Sequence, residues 1–341
     1  MGQPPHGAGP DALGDESKGA LLSLSLSLYA RVAWCLRRVG LFYQDDLFTT
    51  AATHMALLHN AIIRGFNSIY LQAPHVQTDD VDDFVAYSLA WHKFVVSHHD
   101  DEEDRLFPDM IGVLGDHAIW GGMAAEHGTY VFAARGVGKT KACMQGQGEE
   151  GEEEEAAAAA VSVYKARDAS RLTENAESFL PGLKAFETHL TSRNATTGLA
   201  AASLVAIMDS FRDDVQNHLH HEVDVMAAMA GHRNAPAAHT PEGKLAADRL
   251  KRWGKSTVTR AGYRDVVPFF LLNTDRTFEQ GVWARWPRMP EPVRWAMVNV
   301  VGMWHGPAWR FSSCDSSGLP RGLYALERLA DRDGAEAKSE L

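Results

Sequence analysis

The chain has 341 residues, of which 45% are hydrophobic and 23% charged, a composition typical of a globular protein rather than a disordered or fibrous one. Its formal net charge is −11, so it lacks the excess of basic residues that phosphate binding requires, and we expect no nucleic-acid partner. Its three cysteines form no C-x-x-C pair, which favours a reducing compartment. With no apolar run near ~18 residues and no signal peptide, the sequence predicts a cytoplasmic protein without a membrane partner.

Apolar residues recur at three- and four-residue steps after a poorly defined N-terminus at 1–45, and this period is typical of amphipathic helices. Four helices are predicted in this way, over 46–74, 78–108, 119–135 and 199–229. Proline ends the first helix at Pro74 and the second at Pro108, and Thr78 is the predicted N-cap of the second. Helical character resumes at 172–190. The sequence therefore predicts an all-α bundle over 46–232.

Two further segments differ in composition from this bundle. A low-complexity segment rich in Gly, Glu and Ala at 136–165 is predicted to be a surface insertion. Six of the nine tryptophans lie between 250 and 311, and so many large aromatic side chains are rarely left in water. We therefore predict an irregular, tryptophan-rich C-terminal extension over 245–320 that packs on the bundle, followed by a tail at 321–341.

Each predicted helix of the bundle carries a histidine on its apolar stripe. These histidines are His59, His98, His127 and His218. Glu102 follows His98 by four residues, and Glu222 follows His218 by four, so each pair lies one turn apart on the same helix face. One such pair is common by chance, but burying four imidazoles and two carboxylates without a cation costs several kcal/mol. The pattern predicts a metal site inside the bundle.

The ligand types narrow the choice of metal. Imidazole and carboxylate without thiolate favour iron, manganese or zinc. Two carboxylates that can bridge, with two histidines for each ion, favour a dinuclear centre. No histidine follows a glutamate by three residues, which disfavours a ferritin-like site. The dipeptide His221-Glu222 is not part of an H-E-x-x-H motif, which excludes that class of zinc protease.

Alternative residues and registers stay open at this point. His99 and Glu103 repeat the four-residue spacing one position further along the second helix, and His54 is an alternative to His59. The residues predicted to orient the ligands or contact the pocket are His99, Glu103, Tyr130 and His221.

Several segments around these histidines resemble the hemerythrin-like (HHE cation-binding) domain, in particular its fungal-type members. The matching segments are His59-Asn60 with 62–67, then 98–103 closing on 106–108, then Glu126-His127, and 218–222. The resemblance spans about 50–229 apart from the insertion. It implies an up-down four-helix bundle with two non-haem iron ions. In such a centre His59, His98, His127 and His218 would be ligands, with Glu102 and Glu222 as bridging carboxylates.

One departure from the family bears on function. Oxygen-carrying hemerythrins have a further histidine one turn after the third-helix histidine, where this chain has Val131. The reduced ligand set is similar to that of HHE proteins linked to iron–sulfur cluster repair, nitric oxide handling and iron sensing. We therefore expect a di-iron protein that binds oxygen, nitric oxide or peroxide in sensing, iron handling or stress response. Two other functions stay open: a di-iron oxidase or oxygenase with an organic substrate, and a metal-free scaffold. Manganese or zinc could replace iron, and the sequence does not predict the oligomeric state.

Overall fold

The computed structural model describes residues 46–120, 179–192 and 199–330. Within these ranges the regular elements are all helices, with no β-strand beyond an isolated bridge between Cys314 and Pro320. The predicted all-α class is confirmed. The predictions for 1–45, for 121–135 with His127 and Tyr130, for the insertion at 136–165 and for 331–341 lie outside the described residues.

The first helix, α1 (Leu47–Gln72), runs through the interior of the molecule. The Asp46 carboxylate caps it by accepting the Thr49 amide at 2.8 Å. It ends in a 3₁₀ turn, Ala73–His75, because Pro74 has no amide hydrogen with which to continue the helix. Most of its residues are buried, polar ones included, since other helices surround it. This ending agrees with the sequence prediction.

The bounds predicted for the second helix were wrong at both ends. The path consists of α2 (Val81–Asp101), a π-helical turn (Glu102–Leu106) and α3 (Phe107–Leu114). Thr78 lies in a short 3₁₀ turn before α2, and the N-cap position of α2 is occupied by Asp80 instead. Pro108 lies in the first turn of α3, directly after the π turn, and does not end the helical path. The helical path ends only at Gly115, whose φ of 62° is left-handed.

The predicted fourth helix is two helices. After α4 (Leu180–Thr191), the chain forms α5 (Ala201–Asp209) and α6 (Arg212–Ala228). The break falls at Phe211, whose φ of −132° is not helical. Its ring packs edge-on against Phe66, with centroids 5.8 Å apart. A continuous helical period concealed this break because Phe211 is itself an apolar residue on the expected stripe.

The C-terminal part is more regular than the predicted irregular extension. It contains α7 (Pro241–Ala261), α8 (Val266–Leu272), a 3₁₀ turn (Phe278–Gly281), α9 (Glu291–Ala296), a π turn (Met297–Val301) and a 3₁₀ segment (Gly302–Phe311). Every residue of α8 is buried, and α7 and α8 both contact α1 and α2. Trp295 and Trp304 are 61% and 69% exposed, so the prediction that the tryptophans avoid water was wrong for these two.

Two buried apolar clusters fill the interior, and their boundary crosses several helices. On α1 the boundary falls between Met55 and Ile62, and on α6 it falls between Leu219 and Val223. The predicted ligands on these helices lie at that boundary. No helix in the described ranges combines the length and apolar character needed to cross a membrane.

Candidate metal centre

Four of the six predicted ligands meet in the interior. His59 comes from α1, His98 from α2, Glu102 from the start of the π turn and Glu222 from α6. One ligand atom from each lies within 4.8 Å of the other three. The four residues are at most 3% exposed. This buried His–Glu group could hold a metal ion.

The close contacts link the four side chains. The Nε2 atoms of His59 and His98 are 3.0 Å apart. His98 Nε2 lies 2.8 Å from Glu102 Oε1 on the same helical path, and His59 Nε2 lies 3.3 Å from Glu222 Oε2. Both imidazoles therefore direct Nε2 toward the carboxylates, as ligands of a common ion would.

The backbone of α6 orients His59. The distance from His59 Nδ1 to the carbonyl oxygen of Leu219 is 2.9 Å, so Nδ1–H donates to this carbonyl. In a neutral imidazole the proton then sits on Nδ1, and Nε2 keeps its lone pair. Histidine ligands of metals commonly donate their other ring N–H to a backbone carbonyl in this way. The arrangement fits a metal ligand.

The carboxylates of Glu102 and Glu222 are the least satisfied groups of the site. None of their four oxygen atoms accepts a hydrogen bond of normal geometry within the described residues, although imidazole nitrogens lie close by. Burial and the negative charge of Glu222 raise the pKa of Glu102 well above its usual value. Burial also acts to raise the pKa of Glu222, but contact with His59 and the charges of nearby histidines lower it to about 2.

These opposite pKa shifts mean that, without a cation, Glu102 takes up a proton more readily than Glu222, because two buried carboxylates in contact repel each other. A bound cation would offset the repulsion and would accept the oxygen lone pairs that hydrogen bonds leave unused. The donor set and its surroundings therefore fit a metal ion.

Glu102 lies where the helical path widens. The amide of Phe107 donates to the Glu102 carbonyl, five residues back, which defines the π turn. Such turns occur mostly as single insertions in longer helices, often at functional sites. The extra residue shifts the faces of α2 and α3 relative to each other, while His98 and Glu102 stay one turn apart.

The remaining predicted site residues are placed differently. His218 is 3% exposed, and its ring centroid lies 5.0 Å from those of His99 and Phe179. It is not one of the four residues whose ligand atoms converge. His127 and Tyr130 lie outside the described residues. The structure thus places His218 beside the group, and the position of His127 stays a prediction.

The alternative pair, His99 with Glu103, is not part of the group whose ligand atoms converge. His99, predicted off the inward stripe, is buried, and its Nδ1–H donates to the Val95 carbonyl at 2.8 Å. Glu103 is only half-buried, and His54 and His221 are exposed. The converging group contains His98 rather than His99.

A comparison with known proteins identifies a distant relative. No protein-family model matches the chain, and no solved structure matches it. The chain is 24% identical over 289 residues to a protein named dimeric xanthone biosynthesis cluster protein R11, from Cryptosporiopsis sp. (strain 8999). The match covers 82% of this chain and 85% of that protein. The name associates the relative with a biosynthetic cluster, and an identity of this size does not assign a family.

Sequence reasoning missed Trp253, which α7 brings to the site. Its ring centroid lies 6.4 Å from that of His98, and its indole N–H donates to the Asp101 carbonyl at 3.4 Å. The two hydrogen-bonded residues are 152 positions apart in the chain. No local spacing predicts a contact over this distance in sequence. The concentration of tryptophans after residue 250 indicated only that this part of the chain packs on the bundle.

Proposed function

We propose that this protein is a hemerythrin-like metal protein whose up-down four-helix bundle holds a non-haem di-iron centre. It would bind oxygen, nitric oxide or peroxide in sensing, iron handling or stress response. The observation that carries this proposal is the buried group of two imidazoles and two carboxylates whose carboxylate oxygens accept no hydrogen bond in the described chain. Without a cation, such a group is costly to bury.

The residues that would hold iron divide into two sets. His59, His98, Glu102 and Glu222 converge and suffice for one ion. A second ion would draw on His218, which lies buried beside the group, and on His127, which the family resemblance implies. Bound iron would supply redox chemistry and an open position for a small ligand.

The chain's own contribution to this chemistry is positioning and shielding. The Leu219 carbonyl holds His59 in one tautomer, and the two carboxylates supply the negative charge that balances a cation. The apolar clusters on both sides of the site exclude bulk water, which strengthens every electrostatic interaction inside it.

The first experiment is elemental analysis of the purified protein, with absorption spectra before and after anaerobic reduction and exposure to oxygen. We expect about two irons per chain and the charge-transfer bands of bridged ferric ions, changing reversibly with oxygen or nitric oxide. Oxygen consumption coupled to an organic product would favour an oxidase, a role compatible with the biosynthetic-cluster name of the relative. A folded protein that binds no metal would be a scaffold and would contradict the proposal.

A pair of neighbouring variants tests which register holds the metal. Glu102→Gln should weaken metal binding at least ~10-fold, because it removes a carboxylate ligand. Glu103→Gln is the matched control, one residue away on the same turn, and should bind as the wild type does. Metal content and a competitive chelator titration measure both. Loss of metal in the Glu103 variant alone would place the site in the other register.

A further inference from the structure

Helix α7 contacts the helical path where the metal ligands lie. The Trp253 indole N–H donates to the carbonyl of Asp101, the residue immediately before Glu102. The same indole lies against the His98 ring, with centroids 6.4 Å apart and planes inclined by 41°. Trp253 is 7% exposed. One side chain of α7 therefore touches both the backbone beside one ligand and the ring of another.

A second contact holds the π turn from its other end. Arg105 Nη1 donates to Ser256 Oγ on α7 at 2.8 Å and to Asp101 Oδ1 at 3.0 Å. Arg260, also on α7, has its guanidinium 3.9 Å from the Asp101 carboxylate. Asp101 and Arg105 flank Glu102, so both sides of this ligand are tied to the same helix.

This support matters because a π turn is less stable than an α-helical turn. Its wider hydrogen-bonded ring leaves the backbone free to return to the α-helical register unless its neighbours hold it. Such a return would rotate Glu102 relative to the residues that follow it. Groups around a ligand that fix its orientation commonly change metal affinity by ~10–100-fold when they are removed.

We propose that α7 is part of the metal site, with Trp253 and Ser256 as positioning residues. They hold the π turn so that His98 and Glu102 face the ion. This inference rests on the proposed metal binding but not on the identity of the metal. It makes the C-terminal extension a component of the centre rather than an attachment to a self-sufficient bundle.

Titration of the metal-free full-length protein with Co²⁺ tests this proposal, because the visible absorption of Co²⁺ reports its coordination geometry. The variants are Trp253→Leu and Ser256→Ala, with Trp309→Leu as matched control. Trp309 is also 7% exposed and donates its indole N–H to a backbone carbonyl, that of Gly302. We expect ~10-fold weaker Co²⁺ binding and a shifted spectrum in both test variants. The control should bind within twofold of the wild type with an unchanged spectrum.

The outcomes separate the two proposals. If the wild type binds no Co²⁺ and no iron, both the proposed function and this inference fail. If the wild type binds but a folded Ser256→Ala protein shows wild-type affinity and spectrum, only the role of α7 is overturned. Ser256→Thr keeps the hydroxyl and should restore binding, which a general loss of stability would not predict. Ser256→Ala keeps the test decisive should Trp253→Leu fail to fold.

Discussion

Not every histidine on an apolar stripe of this protein belongs to the site. His92 lies on α2 and is 7% exposed, close to the 3% exposure of His59 in the converging group. Its ring stacks on Phe186 of α4 at 6.3 Å instead of approaching a carboxylate of the converging group. Burial alone therefore does not distinguish a ligand from a packed histidine. What distinguishes His98 is the inward carboxylate one turn away.

The environment of His92 predicts a pH dependence of stability. Burial lowers its pKa below 6.5, with Glu187 opposing this shift and Lys184 adding to it. Below pH 6.5 the unfolded chain takes up a proton that the folded chain resists, so stability falls as the pH drops toward the folded pKa. We expect His92→Gln to reduce this loss between pH 6.5 and 5. Urea unfolding at several pH values measures it, and equal slopes in both proteins would contradict the expectation.

Helix packing near the middle of α1 depends on the absence of a side chain. A Cβ atom on Gly65 would lie 2.5 Å from Phe269 Cζ of α8 and 2.8 Å from Trp91 Cδ1 of α2. Neither ring can move freely, since both residues are fully buried and the Trp91 indole donates to the Ile62 carbonyl at 2.9 Å. Gly65 therefore permits α8 and α2 to approach α1 closely, and this approach lies on the same helix as His59.

This contact predicts opposite effects for two Gly→Ala substitutions within helices. Gly65→Ala should lower the free energy of unfolding by ~1–3 kcal/mol through overpacking, despite the better helix propensity of alanine. Gly254→Ala in α7 is the control, because nothing lies within 4 Å of its added Cβ, and it should raise stability by up to ~1 kcal/mol. Chemical denaturation compares them. A gain of stability in the Gly65 variant would refute this account of the packing.

Across the whole molecule, polar contacts join the C-terminal part to the first two helices. Arg64 of α1 forms an ion pair with Asp275 at 2.7 Å, with side chains 8% and 13% exposed. Gln72, near the end of α1, donates to the Phe311 carbonyl at 2.9 Å, and the Tyr87 hydroxyl of α2 donates to Asn273 at 3.0 Å. The described part of the extension thus shares its interior with α1 and α2.

The Arg64–Asp275 pair predicts a loss of stability that a second substitution partly reverses. Arg64→Met leaves the part-buried Asp275 carboxylate without its cation and should lower the free energy of unfolding, by less than the ~3–5 kcal/mol of a fully buried pair because Thr277 still donates to Asp275 Oδ1. Adding Asp275→Asn removes the uncompensated charge, so the double variant should recover part of the loss. Urea unfolding of the two single variants and the double variant measures the coupling. Strictly additive losses would indicate that the two residues stabilise the fold independently.

Comparison of the sequence with the structure shows which site residues the spacing along a helix could predict. His98 and Glu102 could be paired from sequence because four residues along a helix always return a side chain to nearly the same face. His99 and Glu103 satisfy the same rule one residue on, so spacing could not choose between the registers. Packing separates them, since α2 directs His98 toward His59 and Glu222. The pattern of apolar residues likewise did not predict that the helical path continues past Pro108 or that it breaks at Phe211.

The sequence alone predicted the helical class and the His–Glu pair of the second helix. Both depend on hydrogen bonds and spacings between residues that are only a few positions apart. The meeting of α1 with α6, the π turn at Glu102 and the contact of Trp253 with His98 depend on which helix faces touch. Those contacts join residues more than a hundred positions apart in the cases of His59 with Leu219 and Trp253 with Asp101. They arise from burial of apolar surface across the whole molecule, which no local pattern records.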